Sequence, residues 1–221
     1  MNSFSRNSTA LGALLLLAVA APAANGARPD RPDRGHAPAD QTTAPAAKCD
    51  YPAPRQVFST WHDRKFYVLT ENGGLEQGDA GWTLADGAAT VEGNEPFLVN
   101  DTADHQSLSL PAGSSATSPA TCFSAQNSVF RFVARTDGTR KSRLKVEVLY
   151  TNGNGKKSSR VAGKLRGGDQ WKPTKKLSLA LGRAKGRGKL TTGTVAFRFT
   201  PVGAPAGWQI DDLHLDPRAR H

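Results

Sequence analysis

Two adjacent carboxylates near the end of the chain, Asp211 and Asp212, are the first residues whose chemistry needs an explanation. They lie in residues 207–217, GWQIDDLHLDP, which begin as an alternating strand with Trp208 and Ile210 on one face. The alternation then slips, because the next two leucines share the parity of Asp211. Either a β-bulge resets the register or a carboxylate points towards the interior. A buried carboxylate needs a cation or several hydrogen-bond donors.

Few other residues have the types and spacing that catalysis requires. The five histidines form no H-x-x-x-H or H-E-x-x-H pair, and no G-x-S-x-G, phosphate-loop or G-x-G-x-x-G motif is present. His62 precedes Asp63 and His105 follows Asp104, but adjacency in sequence sets no catalytic geometry. Nothing selects one pair of carboxylates for glycoside cleavage. The sequence therefore predicts no catalytic residues and no enzyme.

The start of the chain indicates export. Residues 1–27 combine Arg6, a short apolar run and small residues near a cleavage point, which is the pattern of a secretory signal peptide. Residues 28–47 are rich in Pro and Ala and have no large apolar side chain, so they are predicted to be a disordered linker. Residues 48–217 are long enough for one domain with a single core, and residues 218–221 form a tail. We expect a secreted protein with no membrane span.

Only two cysteines are present, Cys49 and Cys122. In an exported chain two cysteines most simply form one disulfide bond, which would tie the start of the domain to its middle. The alternatives are a reduced thiol pair and a metal-binding pair, although no further Cys or His is near enough in sequence to complete a metal site.

The domain is predicted to be all-β, because its apolar residues alternate in short runs separated by Gly, Pro, Asn and Asp. NGNG at residues 152–155 indicates a hairpin turn, and residues 101–106 could hold one helical turn. About nine or ten short strands predict a two-sheet β-sandwich of the jelly-roll kind. The strand candidates are residues 66–70, 82–84, 88–91, 107–110, 128–134, 144–150, 158–165, 177–181 and 195–199.

Two segments carry a resemblance to a known family. Residues 72–82, NGGLEQGDAGW, and the terminal GWQIDDLHLDP resemble the first and last strands of galactose-binding-like jelly rolls of the carbohydrate-binding-module type. Leu75 stands where that family usually has Phe. The resemblance covers about residues 66–217. The wider layout, with GNEPF at residues 93–97, is similar to exported bacterial proteins of unknown function and implies no activity.

The family resemblance implies two kinds of site. In the family, a Glu of the first motif and an Asp of the last often hold a structural Ca²⁺, which carries over to Glu76 with Asp211 or Asp212. The alternative is that the two aspartates are solvated or accept hydrogen bonds from loop amides. Sugar recognition in the family uses exposed aromatic rings, with polar side chains around them. The candidate ligand-binding aromatics are Trp61, Tyr67 and Trp171; Trp82 and Trp208 are expected in the core.

Positive charge is concentrated in one part of the chain. Residues 131–198 contain 19 Lys and Arg against 3 Asp and Glu, a net charge of +16. Such a block binds polyanions through charge with little sequence readout, or it only keeps the surface soluble. Few aromatics are interleaved, so specific nucleic-acid binding is not expected. The densest cluster, GRAKGRGK, supplies the candidate polyanion-binding residues Arg183, Lys185, Arg187 and Lys189.

Two functions follow from these features. The first is an exported, non-catalytic, monomeric β-sandwich module that binds a cell-surface or environmental glycan. The second is an envelope-associated structural or interaction protein whose basic face binds anionic polymers.

Overall fold

The computed structural model describes residues 49–124, 129–138, 141–151, 156–179, 181 and 192–217. The predicted signal peptide, linker and tail lie outside the described residues. So do the predicted NGNG turn and the basic cluster of Arg183, Lys185, Arg187 and Lys189.

The described chain folds into short β-strands, because apolar side chains alternate and Gly, Pro, Asn and Asp interrupt them. One 3-10 turn occurs at Ser59–Trp61, and the helical turn expected at residues 101–106 does not form. The strands are β1 (Val68–Leu69), β2 (Thr83–Ala85), β3 (Ala89–Glu92), β4 (Gln106–Leu110), β5 (Ser115–Thr117), β6 (Thr121–Ser124), β7 (Val129–Thr136), β8 (Ser142–Thr151), β9 (Lys157–Leu165), β10 (Lys172–Pro173), β11 (Leu177–Ser178), β12 (Thr192–Gly203) and β13 (Trp208–Leu215).

These strands form two antiparallel sheets. The seven-stranded sheet has the order β10-β7-β13-β4-β3, with β1 added beside β13 and β11 beside β7. The six-stranded sheet has the order β2-β5-β12-β8-β9, with β6 added beside β12. Strands distant in sequence are neighbours, as when β13 lies between β4 and β7. This arrangement confirms the predicted all-β, two-sheet jelly-roll sandwich.

The main core fills the space between the sheets. Phe130 of β7 packs on Phe197 of β12 with ring centroids 4.5 Å apart, and Phe132 packs on Phe199 at 5.1 Å. Trp208 is 2% exposed and belongs to the same cluster, and Trp82 also lies there, as expected.

A second, smaller core lies on the outer face of the seven-stranded sheet. Phe58, Tyr67, Val99, Val129 and Val133 form this cluster, which we call the outer cluster. It exists because the segment before β1 and the loop before β4 contribute apolar side chains that cover the outward side of β7. An outward residue of β7 is consequently buried rather than solvated.

That buried outward residue is Arg131, which is 7% exposed. Its Nη1 donates to Oδ2 of Asp63 at 2.7 Å, Tyr67 Oη donates to the same oxygen at 2.8 Å, and Lys176 Nζ lies 2.9 Å from Oδ1. Burial alone would raise the pKa of Asp63, but the donors Lys176, Tyr67 and Arg131 together outweigh it and lower that pKa. The outer face therefore contains a buried carboxylate that is matched by cations.

The disulfide joins Cys49 to Cys122 of β6, with Cα atoms 5.6 Å apart and a sequence separation of 73. It is the pairing that the sequence predicted. Disulfides are typical of proteins outside the reducing cytosol. Among the described residues, no helix is long and apolar enough to cross a membrane.

Candidate functional site

Two adjoining clefts open at one edge of the sandwich. The larger has a volume of about 630 Å³ and the smaller about 340 Å³. Asp169 and Trp208 line both, so the two clefts are adjacent. We call them together the edge cleft.

The edge cleft exists because the chain changes sheets there. β9 is an edge strand of the six-stranded sheet and ends at Leu165. β10 is an edge strand of the seven-stranded sheet and begins at Lys172. The crossing loop is fixed at both ends by β7, since Thr136 N donates to Gly168 O and Thr174 N donates to Phe132 O, each at 2.8 Å. The two strand ends therefore form opposite walls of one cleft.

The floor of the cleft depends on Gly167. A Cβ atom at this position would lie 2.6 Å from Cη2 of Trp208 and 2.7 Å from Cγ2 of Thr136. Only glycine lets the loop backbone approach the indole this closely without displacing it. Trp208 is held from the other side, because its Nε1 donates to Ser142 Oγ at 2.9 Å. The floor is thus apolar and rigid.

The wall of the smaller cleft carries planar polar groups. Nε of Arg135 donates to Oε1 of Gln209, and the Arg135 guanidinium carbon lies 5.1 Å from the ring centroid of Trp171. Asp137 is fixed by the amide of Gly207, which donates to its Oδ1 at 2.7 Å. An ordered set of donors and acceptors beside an apolar floor is typical of a small-ligand site.

The three predicted ligand-binding aromatics all border the outer cluster, but they are not equally accessible. Tyr67 is 1% exposed, and its hydroxyl is occupied by Asp63, so it has no open ring face. Trp61 is half-buried with its ring 4.9 Å from that of Phe97 in an edge-on contact. Trp171 is half-buried too, and it alone of the three contacts a residue that lines the edge cleft.

The adjacent carboxylates Asp211 and Asp212 lie at a bulge. The pairing of β13 with β7 shifts between Asp211 and His214, and Asp212 has a left-handed φ of 54°. Both parts of the sequence expectation hold, since the register resets and both carboxylates are buried, at 2% and 0% exposure. The bulge lets Ile210 and Leu213 both reach the main core.

Asp211 is satisfied by backbone amides. Its Oδ1 accepts from Asp212 N at 2.7 Å and its Oδ2 from Glu95 N at 3.3 Å. Burial, with the neighbouring charge of Asp212, raises the pKa of Asp211 to about 9. No cationic side chain matches this carboxylate in the contacts of the described residues.

Asp212 differs because one of its oxygens has no donor. Its Oδ2 accepts from Asn100 N at 3.2 Å, whereas its buried Oδ1 has no hydrogen-bond partner among the described residues. A Cβ atom at Gly74 would lie 3.5 Å from that Oδ1 and 3.6 Å from both Asp104 Oδ2 and Asn100 Nδ2. Burial, followed by the charges of Glu95 and Asp104, raises the pKa of Asp212.

Glu76 lies at the margin of the same acidic region. Its Oε1 accepts from the amides of His105 and Gln106 at 2.9 and 2.8 Å, and its Oε2 lies 2.7 Å from Nδ1 of His105. Its charge contributes to the raised pKa of Asp104, for which burial is the larger cause. In the described ranges, no three His, Cys, Asp or Glu side chains are arranged as ligands of one metal ion.

Several residues of the edge cleft were not singled out from the sequence. Gln209 and Arg135 are outward residues of β13 and β7, and nothing in sequence spacing brings them together. Asp169 was visible only as part of the GGDQW loop that drew attention to Trp171. This glycine-containing loop was the one sequence signal available for the cleft.

Comparisons with known proteins give structural relatives only. No family model matches the chain, and no curated protein does either. The chain is similar to the CBM22-1 xylan-binding domain of Paenibacillus barcinonensis Xyn10C, with 14% identity and a TM-score of 0.45 over 69% of this chain and 94% of that one. The C-terminal family 22 module of Clostridium thermocellum Xyn10B has 14% identity and a TM-score of 0.41 over 65% of this chain and 90% of that one. TmCBM61, solved with β-1,4-galactotriose, has 15% identity and a TM-score of 0.37 over 66% of this chain and 96% of that one.

Each of these three structures is a carbohydrate-binding module, which is the kind of domain that residues 72–82 and 207–217 resemble.

Proposed function

We propose that the protein is an exported, non-catalytic module that binds carbohydrate in the edge cleft. The observation that supports this most is a pair of adjacent clefts that share Asp169 and Trp208, in which the apolar Ala134 and Pro173 lie near amide, carboxylate and guanidinium groups. A sugar presents an apolar ring face and a belt of hydroxyls, so it needs both kinds of surface at once. Export is supported by the disulfide and by the signal-peptide pattern of residues 1–27.

Within this proposal, Trp171 and Gln209 serve as ligand-binding residues. Arg135 joins them, because it contacts the ring of Trp171 and the amide of Gln209 together. A glycan lying along the smaller cleft would contact the guanidinium of Arg135 and the side-chain amide of Gln209. Bidentate groups such as guanidinium and carboxamide suit pairs of neighbouring hydroxyls.

Affinity electrophoresis in gels containing xylan, galactan, β-glucan or polygalacturonate tests the proposal. The wild-type chain is expected to be retarded by at least one of these polymers. Trp171→Ala and Gln209→Ala should each weaken that binding by about tenfold, the effect of losing one good contact at about 1–2 kcal/mol. Thermal melting of each variant checks that it is folded.

Trp61→Ala provides the matched control, because Trp61 is the other half-buried tryptophan on the outer cluster, and its ring contacts Phe58 and Phe97 rather than the cleft residue Arg135 that contacts Trp171. This variant should bind as the wild type does. Loss of binding in Trp61→Ala with binding retained in Trp171→Ala would place the site elsewhere.

We also propose that the acidic region beside Gly74 holds a structural Ca²⁺. Asp212 supports this with a buried Oδ1 that has no donor, and Asp104 faces the same space. Glu76, with an oxygen not used by the backbone, is near enough to raise the pKa of Asp104. Ca²⁺ prefers oxygen ligands and accepts carbonyls and waters to complete its shell, and it would supply the positive charge that the region lacks.

Thermal melting at neutral pH, with Ca²⁺ and with a chelator, tests the calcium proposal. At a Ca²⁺ concentration about 100 times its Kd, binding stabilises the folded state by about 2.7 kcal/mol, which raises the melting temperature by several degrees. Asp212→Asn should abolish this increment while keeping an oxygen for the Asn100 amide. Asp79→Asn changes an exposed aspartate that is close in sequence to Gly74 and Glu76, and this variant should retain the stabilisation by calcium. An equal midpoint with calcium and chelator contradicts the proposal.

A further inference from the structure

We infer that the edge cleft selects acidic glycans, whose carboxylate, sulfate or phosphate groups lie in its larger part; this inference rests on the proposed carbohydrate binding. The larger part is lined by four cationic side chains: Lys164, Arg166, Lys172 and Lys175. Its one acidic lining residue is Asp169. The cations come from both walls, two from the end of β9 and its loop and two from β10 and the residues after it.

These four cations are available to a ligand. All four are exposed, and within the part of the chain that the structure describes none forms an ion pair or a side-chain hydrogen bond. Some cations elsewhere are paired: Lys145 and Arg198 share Glu147, and Lys176 pairs with Asp63. The four cleft cations place unmatched positive charge where the surface is concave. A concave surface of one charge sign concentrates oppositely charged ligands.

The two parts of the cleft are chemically unequal. The larger part combines its cations with the apolar Leu165, Ala134 and Pro173, whereas the smaller part contains Ser109, Asp137 and Gln209. An acidic sugar would present its charged group to the first set. The hydroxyls of a neighbouring sugar would face the second set. A glycan that carries both acidic groups and hydroxyls therefore fits the two parts of the cleft better than a neutral glycan does.

Nucleic acid fits the cleft less well. The only aromatic side chain lining the larger part is Trp208, and it is 2% exposed. Base stacking on an open ring supplies much of the affinity for single strands. A cationic cleft without such a ring offers charge alone, which sugars with acidic groups can satisfy together with the hydroxyl-binding wall.

The test compares polygalacturonate with the same polymer after methyl esterification, since the two differ in charge and share one sugar skeleton. The wild-type chain should bind polygalacturonate at least tenfold more tightly, and added salt should reduce the difference. Neutralising all four cations to Gln should weaken polygalacturonate binding by roughly tenfold or more, because each exposed contact contributes up to about fivefold.

Lys157→Gln is the matched control for Lys164→Gln. Both residues are exposed on β9, and seven residues of extended strand separate them by about 23 Å. Lys164→Gln should weaken binding two- to fivefold, and Lys157→Gln should leave it unchanged. An equal loss in both variants overturns the inference in favour of diffuse surface charge.

The remaining outcomes separate this inference from the proposed function. Equal binding of the esterified polymer, or binding of neutral xylan or galactan alone, overturns the acidic-glycan inference and leaves carbohydrate binding standing. Binding of none of the polymers overturns both. Binding of oligothymidylate as tight as that of polygalacturonate, with the same sensitivity to the four substitutions, assigns the cleft to polyanions in general and overturns glycan selection.

Discussion

The acidic region around Asp212 and the basic part of the edge cleft both gather like charges, and both adjoin β13. They differ in exposure: Asp211, Asp212 and Glu95 are at most 2% exposed, whereas Lys164 and Arg166 are open to solvent. Buried like charges cannot all stay ionised without a counter-charge, so they take up protons or a cation. Exposed like charges stay ionised at little cost, because water screens them. The buried set is suited to holding the fold together, and the exposed set is suited to binding a ligand.

The Asp63 network shows what the acidic region lacks. Asp63 is also shielded from solvent, yet Arg131 and Lys176 surround it and its pKa falls. The pKa of Asp211 rises because its donors are backbone amides and its neighbour is another carboxylate. Burial raises the pKa in both cases, more strongly for the more deeply buried Asp211, and cationic donors outweigh it only at Asp63.

The largest effect on stability is expected from Glu95→Ala. Glu95 is fully buried, and its two oxygens accept from the amides of Phe97 and Val99, each at 2.6 Å. Removing this acceptor should lower the free energy of unfolding by about 2–4 kcal/mol, measured by urea denaturation. Glu95→Gln keeps one acceptor oxygen and should lose less. If Glu95→Ala were as stable as the wild type, the buried carboxylate of Glu95 would not be holding the loop before β4.

The next effect, smaller for each single pH unit, is expected from pH when divalent cations are absent. Asp211 has a pKa of about 9 in the folded protein against 3.8 in the unfolded chain, so the folded state retains a proton between these values. Its contribution is complete below pH 4 and is lost as pH rises towards 9, by at most about 1.4 kcal/mol per pH unit. Asp211→Asn should flatten this slope in urea denaturation measured between pH 5 and 9. A wild-type stability that rises with pH over this range would contradict the account.

The smallest effect on stability is expected from the exposed cations. Changing Lys164, Arg166, Lys172 and Lys175 together to Gln should alter the free energy of unfolding by only about 0.5 kcal/mol, because none has a partner to lose in the described structure. The same substitutions are expected to weaken acidic-glycan binding. A loss of several kcal/mol would mean that these side chains are structural and would remove the contrast with the buried carboxylates.

The fold was largely predictable from the sequence because each strand alternates apolar and polar residues. Alternation in the strand candidates 128–134 and 195–199 puts Phe130 and Phe132 on one face and Phe197 and Phe199 on one face, and all four lie in the main core. The same alternation puts Arg131 on the opposite face, where it is buried because the segment before β1 lies over that face. Alternation assigns a residue to one side of a sheet but says nothing of what covers that side.

The candidate site was less predictable. The slip at Asp211 and Asp212 indicated either a bulge or an inward carboxylate, because a change of parity is visible in sequence, and the structure has both. The edge cleft was not visible, because its walls come from β7, β9, β10 and β13, and only the tertiary fold brings these together. Tyr67 could not be told from an exposed ring, since its burial depends on Phe58 and Asp63.

Chemical-shift mapping with a galacturonate oligosaccharide tests the central claim most directly. The account predicts that the amides of residues 164–175, together with the indole N–H of Trp208 and the side-chain amide of Gln209, shift on titration, while those of the six-stranded sheet's outer face stay in place. Shifts confined to that outer face, around Glu147 and Arg198, would contradict the assignment of the edge cleft as the carbohydrate site.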